Sequence, residues 1–291
     1  MDFSVSKEIV SQKLIGDIVY EKKDVDVKEL LVKGKREIIQ LNHDVWDILA
    51  LDRHRIVRSS RDNKCLIMYD ENFKLVKRVD KISEDSIAPA GIACDDNHFY
   101  ITDEQNHRTI KLDFEFKTIK TIGSLGSGKY QFNEPNGICC KKEIYICDYR
   151  NQKIQIYNTA LEFIHSFEVD YYPLVIKITN SLLFVQAGQV KSLFVYDLNS
   201  LSLKHKIDNP AEYCRLSEIN SNVYRFNSKS KSVLFYDENG NFKEEIIINN
   251  VDGSFLSSAW DGAFIDFEGN LLMTSYSGRM LIKFLKKQFI F

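Results

Sequence analysis

The chain has 291 residues, of which 44% are hydrophobic, so it is long enough to bury a large core. Its formal net charge is −2, which excludes a protein that attracts polyanions through its overall charge. No apolar run approaches the ~18 residues of a membrane-spanning helix, and the first residues carry charges where a secretory leader would be apolar. We therefore expect a cytoplasmic protein with no membrane partner and with its six cysteines reduced.

The N-terminal part of the chain precedes a series of repeats. Residues 1–35 are interpreted as an N-terminal extension, in which 14–20 are compatible with a strand. Residues 36–41 are a clearer strand, because three of them are β-branched, apolar or both.

Six blocks of sixteen residues then align without gaps, starting at Arg55, His98, Glu143, Leu182, Asn222 and Asn270, 39 to 48 residues apart. Each block is predicted to be a strand, a turn and a strand. A further apolar run precedes every block, and a fourth run follows the first five. Four strands in each unit of this length are typical of β-propeller blades.

The sixth block ends close to Phe291 and lacks a fourth strand of its own. The strand at 36–41 can supply it, which would also remove the two exposed edges of an open ring. The predicted fold is an all-β, six-bladed β-propeller over residues 36–291. It has four antiparallel strands per blade, and the N-terminal strand closes the last blade.

Two repeats carry a specific motif, in which Pro-x-Gly-Ile is followed by an Asp and, three residues later, an Asn. The third repeat has it at 135–138 with Asp148 and Asn151, and the second has it at 89–92 with Asp103 and Asn106. This pattern resembles the NHL repeat, whose family forms six-bladed propellers. In TRIM-NHL-type proteins the propeller commonly follows RING, B-box and coiled-coil segments and selects a protein or RNA target. Since this sequence has none of those segments, the resemblance implies a target-recognition subunit in ubiquitin transfer rather than a ligase.

The Asp-x-x-Asn pairs are interpreted as structural, because Asp accepts turn N–H groups and Asn tolerates left-handed backbone. A ligand-binding role for them is the alternative. Just after this turn every repeat has a basic residue, and these form a basic column: Lys64, Arg108, Lys153, Lys191, Lys231 and Arg279. The column could bind phosphates or an acidic partner, or it could make local pairs with Asp103, Asp148 and their neighbours.

By blade geometry these turns share one rim with the inter-blade loops, which also carry aromatic residues. Some aromatics could fill gaps between blades, whereas exposed ones would be good interface anchors. The predicted partner-binding residues are the basic column together with Phe132, Tyr171, Tyr172, Tyr213, Trp260 and Arg150. Acidic residues slightly outnumber basic ones on this rim, so a protein partner is favoured and single-stranded RNA is the alternative.

Catalysis is the third possibility, since six-bladed relatives include metal-dependent lactonases and lyases. The six histidines fall in unrelated columns of the repeats, and Glu218 and Asp266 are the only acids that we can nominate for the central channel. We therefore expect a monomeric protein that is not an enzyme and needs no metal or other cofactor.

Overall fold

Strands and tight turns make up nearly all of the chain that the structure, a computed structural model, describes. The described residues are 13–15, 18–20, 35–40, 47–51, 55–82, 84–190, 192–208, 216–219, 222–227, 232–247, 260–265, 271–275 and 280–285. Only one short helix, a 3-10 turn at Tyr149–Asn151, occurs within these ranges.

The N-terminal strands are β1 (Lys13–Ile15), β2 (Ile18–Tyr20) and β3 (Lys35–Gln40). β1 and β2 pair with each other as an antiparallel two-stranded sheet. The segment predicted as one strand is therefore two, consistent with the turn-forming pair Gly16-Asp17 between them in the sequence.

Two four-stranded sheets come next. The first sheet contains β4 (Asp47–Ala50), β5 (Ile56–Ser60), β6 (Cys65–Tyr69) and β7 (Leu75–Val79). A short hairpin of β8 (Lys81–Ile82) and β9 (Asp85–Ser86) follows. The second sheet contains β10 (Pro89–Cys94), β11 (Phe99–Asp103), β12 (Arg108–Leu112) and β13 (Thr118–Ile122).

The third sheet contains β14 (Pro135–Cys140), β15 (Ile144–Asp148), β16 (Lys153–Tyr157) and β17 (Phe163–Glu168). The fourth contains β18 (Pro173–Ile178), β19 (Leu182–Ala187), β20 (Ser192–Asp197) and β21 (Leu203–Asp208). The fifth contains β22 (Leu216–Ile219), β23 (Asn222–Asn227), β24 (Ser232–Tyr236) and β25 (Phe242–Ile247).

The sixth sheet contains β26 (Trp260–Ile265), β27 (Leu271–Ser275) and β28 (Met280–Leu285), and its fourth strand is β3. β28 and β3 are antiparallel, with Ile282 opposite Ile38. The prediction that the N-terminal strand completes the last sheet is confirmed. Residues that are far apart in the sequence thus share one hydrogen-bonded ladder.

The first strand of each sheet is the innermost one, and neighbouring inner strands contact each other in the order β4, β10, β14, β18, β22 and β26. β26 contacts β4 again, so the contacts close into a ring. Four hydrophobic clusters lie between consecutive sheets, from the first to the fifth. The all-β propeller is therefore confirmed, and its core is divided among the seams between sheets.

Glycine in the Pro-x-Gly-Ile motif allows the close approach of inner strands. A Cβ at Gly91 would lie 2.6 Å from the carbonyl oxygen of Asn136 and 2.9 Å from the backbone nitrogen of Ile138. Gly137 is equally close to the carbonyl oxygen of Leu174 in the fourth sheet. Any side chain at either position would push two neighbouring sheets apart.

The Asp or Asn that ends most blocks shapes the turn between the third and fourth strands. Asp113 accepts the backbone N–H groups of Glu115 and Lys117 at 2.9 and 2.8 Å. Asp70 and Asn158 accept the equivalent pairs in their own turns. This recurrent column is therefore explained by turn formation at the end opposite the inter-blade loops.

Candidate interaction site on the loop rim

The loop rim is the end of the ring that carries the loops before the inner strands and the turns between second and third strands. In the third sheet, Oδ1 of Asp148 accepts the backbone N–H of Asn133, which lies in the preceding inter-blade loop, at 2.8 Å. Its Oδ2 accepts the side-chain amides of Asn151 and Gln155 at 2.8 and 2.7 Å. Asn151 also donates to the carbonyl oxygen of Gly126 at 2.7 Å. Asp148 and Asn151 therefore attach the inter-blade loop to the turn between the second and third strands.

The second sheet repeats this arrangement. Oδ1 of Asp103 accepts the N–H of Ala88 at 2.8 Å, and Asn106 donates both to Asp103 and to the carbonyl oxygen of Ser86. The structural interpretation of the Asp-x-x-Asn pairs is supported in both repeats, although the N–H group that Asp binds belongs to the inter-blade loop and not to the turn.

The left-handed residue of the turn is also different from the one expected. The positive φ occurs one position after the Asn, at Lys64, His107 and Gln152, with values of 51° to 52°. The Asn is needed instead for its side-chain amide, which bridges the Asp and a loop carbonyl in the second and third repeats.

Two members of the basic column are neutralised locally. Arg108 donates to Asp103 and to Asp85, both at 2.8 Å. Lys153 lies 3.7 Å from Asp148 and donates to the carbonyl oxygen of Ser127 at 2.5 Å. Lys64 is exposed, and Lys191, Lys231 and Arg279 lie outside the described residues. For Arg108 and Lys153, local pairing is the interpretation that the contacts support.

Two of the predicted aromatic anchors are core residues. Phe132 is 0% exposed and packs in the cluster between the second and third sheets, beside Tyr157. Tyr171 is 4% exposed, stacks on Phe194 with ring centroids 3.8 Å apart, and shares a hydrogen bond with the hydroxyl of Tyr196. The prediction that they are exposed anchors is wrong, because both rings fill the wedge-shaped gap between neighbouring sheets.

Three predicted anchors remain, and the structure describes the side chain of one of them. Tyr213 lies outside the described residues, as does the side chain of Trp260, whose backbone begins β26. Tyr172 is partly exposed on the loop before β18, as expected. It pairs with Tyr149, which was not among the predicted anchors, at a centroid distance of 5.3 Å and an interplanar angle of 39°. We call these two residues the tyrosine pair.

The tyrosine pair spans the seam between the third and fourth sheets. Tyr149 follows Asp148 directly, in the 3-10 turn of the third sheet. The carbonyl oxygen of Tyr172 accepts the N–H of Gly188 at 2.8 Å. A Cβ at Gly188 would be 2.8 Å from the Tyr149 ring, so a glycine here lets the ring lie against the backbone. The position of Tyr149 next to the motif Asp is the one sequence signal that could have identified it.

Charged groups surround the tyrosine pair. Arg150, which is half-exposed, donates to Glu134 at 2.8 Å, and its guanidinium carbon lies 5.7 Å from the centre of the Tyr149 ring. Arg61 forms an ion pair with the buried Glu104. Burial raises the pKa of Tyr149, Arg150 lowers it, and Glu134, Tyr172 and Glu104 raise it further, so its hydroxyl stays protonated at neutral pH.

A second group of titratable residues is associated with the inner strands. Asp47 accepts the N–H of Ile92 from the second sheet at 3.1 Å, and Nζ of Lys177 in the fourth sheet lies 3.9 Å from its Oδ1. Burial is the main cause of a strongly raised pKa at the nearby Cys139 thiol, while Lys177 lowers it. Glu218 is partly buried, and Asp266 lies outside the described residues. Across the described ranges, no cluster of three metal-ligating side chains occurs.

Comparisons with known proteins define the fold class. No family model matches the chain, and no curated protein sequence matches it significantly. The fold is similar to that of virginiamycin B lyase from Staphylococcus aureus, with a TM-score of 0.61 at 11% identity over 86% of this chain and 99% of that one. A streptogramin B lyase gives 0.61 at 11% identity, over 87% and 88% of the two chains.

A third solved structure, hydrazine synthase from Kuenenia stuttgartiensis, gives a TM-score of 0.58 at 15% identity, over 81% of this chain and 75% of that one. At these identities the similarity defines the chain as a β-propeller and carries nothing about activity. In the part of the chain that the structure describes, no helix is long and apolar enough to cross a membrane.

Proposed function

We propose that this chain is a non-catalytic binding module, a closed six-bladed propeller of the NHL type, that recognises a protein partner through its loop rim. The tyrosine pair is the observation that carries the proposal. Both residues are partly exposed, and the ring of Tyr149 lies against the backbone at Gly188. Tyrosine is enriched at interface hot spots, because a rigid ring buries a large area at small entropic cost.

The charges of the rim favour protein over RNA. Arg61, Arg108 and Arg150 each form an ion pair with a carboxylate of the rim, and Lys153 lies beside Asp148. Positive charges that are already neutralised release few counterions from a phosphate backbone. Single-stranded RNA remains the second candidate function, since exposed tyrosines can also stack on bases.

A role as a target-recognition subunit in ubiquitin transfer is proposed from the resemblance of the second and third repeats to the NHL repeat, and we propose that the chain acts as a monomer in the cytoplasm. The absence of catalysis is proposed because the rim's charged groups fasten loops and turns to one another. Asp103 and Asp148 accept three or more hydrogen bonds or ion pairs each. Carboxylates held in this way serve folding, and metal-dependent lactonase or lyase activity is the less favoured alternative.

The proposal is tested by capturing cross-linked partners with the wild-type chain and with a Tyr149→Ala/Tyr172→Ala variant. The matched control is Lys142→Ala, which changes an exposed residue of the turn between β14 and β15, at the opposite end of the ring. We expect the control to retain a protein partner that the double variant loses, with thermal melts showing that both fold.

Equal capture by the double variant would exclude the tyrosine pair as the contact surface. Fluorescence anisotropy with a labelled single-stranded RNA tests the second candidate function, RNA binding. Binding tighter than ~1 µM at physiological salt would reverse the preference for protein, since non-specific binding lies at ~10⁻⁴ to 10⁻⁶ M.

A further inference from the structure

The tyrosine pair carries no hydrogen bond at its hydroxyl groups from any described residue. Tyr149 and Tyr172 contact each other by their rings, and Tyr149 contacts Gly188 and lies near Arg150. The two rings tilt by 39°, so they are not stacked flat against each other. Partly exposed aromatic faces with hydroxyl groups are suited to a group that combines positive charge with hydrogen-bonding capacity.

The chain itself shows which chemistry this surface accepts. Arg150 places its guanidinium carbon 5.7 Å from the centre of the Tyr149 ring, while its Nε donates to Glu134 at 2.8 Å. A distance below about 6 Å is the range of cation–π attraction. A guanidinium thus already occupies this combination of aromatic ring and carboxylate within the molecule.

The surrounding charge is complementary to a further cation. Three carboxylates belong to this part of the rim, namely Glu104, Glu134 and Asp170, and only the first two pair with Arg61 and Arg150. Asp170 is exposed, stands two positions before Tyr172, and forms no ion pair with a described residue. The loop that carries Tyr172 therefore contributes one exposed negative charge without an ion-pair partner among the described residues, which disfavours phosphate and favours a basic side chain.

We propose that the tyrosine pair receives an arginine or lysine side chain of the protein partner, with the ring of Tyr172 as the aromatic face and Asp170 as its carboxylate. This inference rests on the proposed function and specifies the chemistry of the partner. The arrangement repeats, at the neighbouring ring, the intramolecular contact of Arg150 with Tyr149 and Glu134. Arginine is itself enriched at interface hot spots, where it stacks on aromatic rings.

The test is a titration followed by NMR, with tyrosine rings labelled with carbon-13 and the signals of Tyr149 and Tyr172 assigned by Tyr→Phe substitution. The probes are three capped tripeptides that differ only at the centre, Gly-Arg-Gly, Gly-Gln-Gly and Gly-Glu-Gly. We expect the arginine peptide to shift both ring signals and the other two to leave them unchanged. Shifts of equal size with the glutamate peptide would overturn the proposal.

Substitutions at the site distinguish a cation–π contact from non-specific apolar binding. Tyr172→Leu keeps apolar bulk without the ring quadrupole and should weaken arginine-peptide binding at least tenfold, whereas Tyr172→Phe should retain it. Asp170→Asn should weaken it about threefold and reduce its salt dependence. Unchanged binding by folded Tyr172→Leu would overturn the inference.

The proposed function and this inference can fail separately. If the wild-type chain captures a partner that the double variant loses, but the arginine peptide gives no shifts, the rim binds proteins by another chemistry. If capture is also independent of the tyrosine pair, both proposals fail.

Discussion

Asp148 and Asn133 are joined by a 2.8 Å hydrogen bond from the backbone N–H of Asn133 to Oδ1 of Asp148. Asp103 holds the N–H of Ala88 at the same distance and with the same separation in sequence. One carboxylate at the end of a second strand thus fixes the loop that leads into the inner strand of its own sheet. The loop rim is organised around these bonds.

Asp148→Ala should lower the free energy of unfolding by about 3 kcal/mol, because it leaves the N–H of Asn133 without its acceptor and removes one of the two acceptors of the Gln155 amide. Chemical denaturation followed by tryptophan fluorescence measures the loss. Asp80→Ala is the matched control, since that side chain is exposed and makes no hydrogen bond with a described residue. Equal stability of the two variants would contradict the structural role of the Asp.

Gly91→Ala should destabilise the protein by about 2 kcal/mol, because the new Cβ meets the backbone of Asn136 and Ile138 at less than 3 Å. Gly128→Ala is the matched control, since a Cβ there first meets the flexible side chain of Gln131 at 3.0 Å. The stabilities of the Gly91→Ala and Gly128→Ala variants are compared by their midpoints of urea denaturation. A Gly91→Ala variant as stable as the control would show that the neighbouring inner strands can separate without cost.

Phe132→Ala should cost about 4 kcal/mol of stability, the range for truncating a fully buried aromatic ring. Tyr172→Ala, on a partly exposed residue, should cost less than about 1 kcal/mol. Thermal unfolding of both variants separates a core role from a surface role. Similar losses of stability for both variants would mean that Tyr172 is also a core residue and that the tyrosine pair is unsuited to binding.

Asp197 should titrate at a pKa of about 2, below its ordinary value of 3.8, because the N–H of Ser200 and the ammonium group of Lys204 stabilise the carboxylate. Since the folded-state pKa is the lower one, its contribution to stability is present above pH 3.8 and is lost as the pH falls through about 2. The carboxyl carbon signal of Asp197 reports this pKa in an NMR titration. Lys204→Met should raise the pKa of Asp197 only part of the way to 3.8, because the N–H of Ser200 still stabilises the carboxylate. A pKa of 3.8 for Asp197 in the wild type would contradict the turn geometry.

Removing the closing strand should disrupt the ring, because β3 supplies the whole fourth strand of the sixth sheet. Deletion of residues 1–42 is expected to lower the melting temperature substantially or prevent folding, whereas deletion of 1–12 should leave it nearly unchanged. Differential scanning calorimetry of both truncated chains measures the effect. Equal melting temperatures would show that the closure at β28 is dispensable.

The strands and their order could be predicted from the sequence alone, because each blade is a local unit. Alternating apolar residues and turn-forming Asp, Asn and Gly recur every 39 to 48 residues, and these signals act over a few residues. Even the pairing of β28 with β3 followed from counting strands, since an incomplete sheet at one end required a strand from the other.

The exposure of individual rim residues was decided only by the tertiary structure. Phe132 and Tyr172 are both aromatic residues of inter-blade loops, yet one is buried and the other partly exposed. The difference arises because sheets that radiate from a ring leave wedge-shaped seams, and the loop's path decides which ring fills a seam. Neighbouring sheets also bring Tyr149 next to Tyr172, and no periodic pattern within one repeat encodes a contact between two repeats.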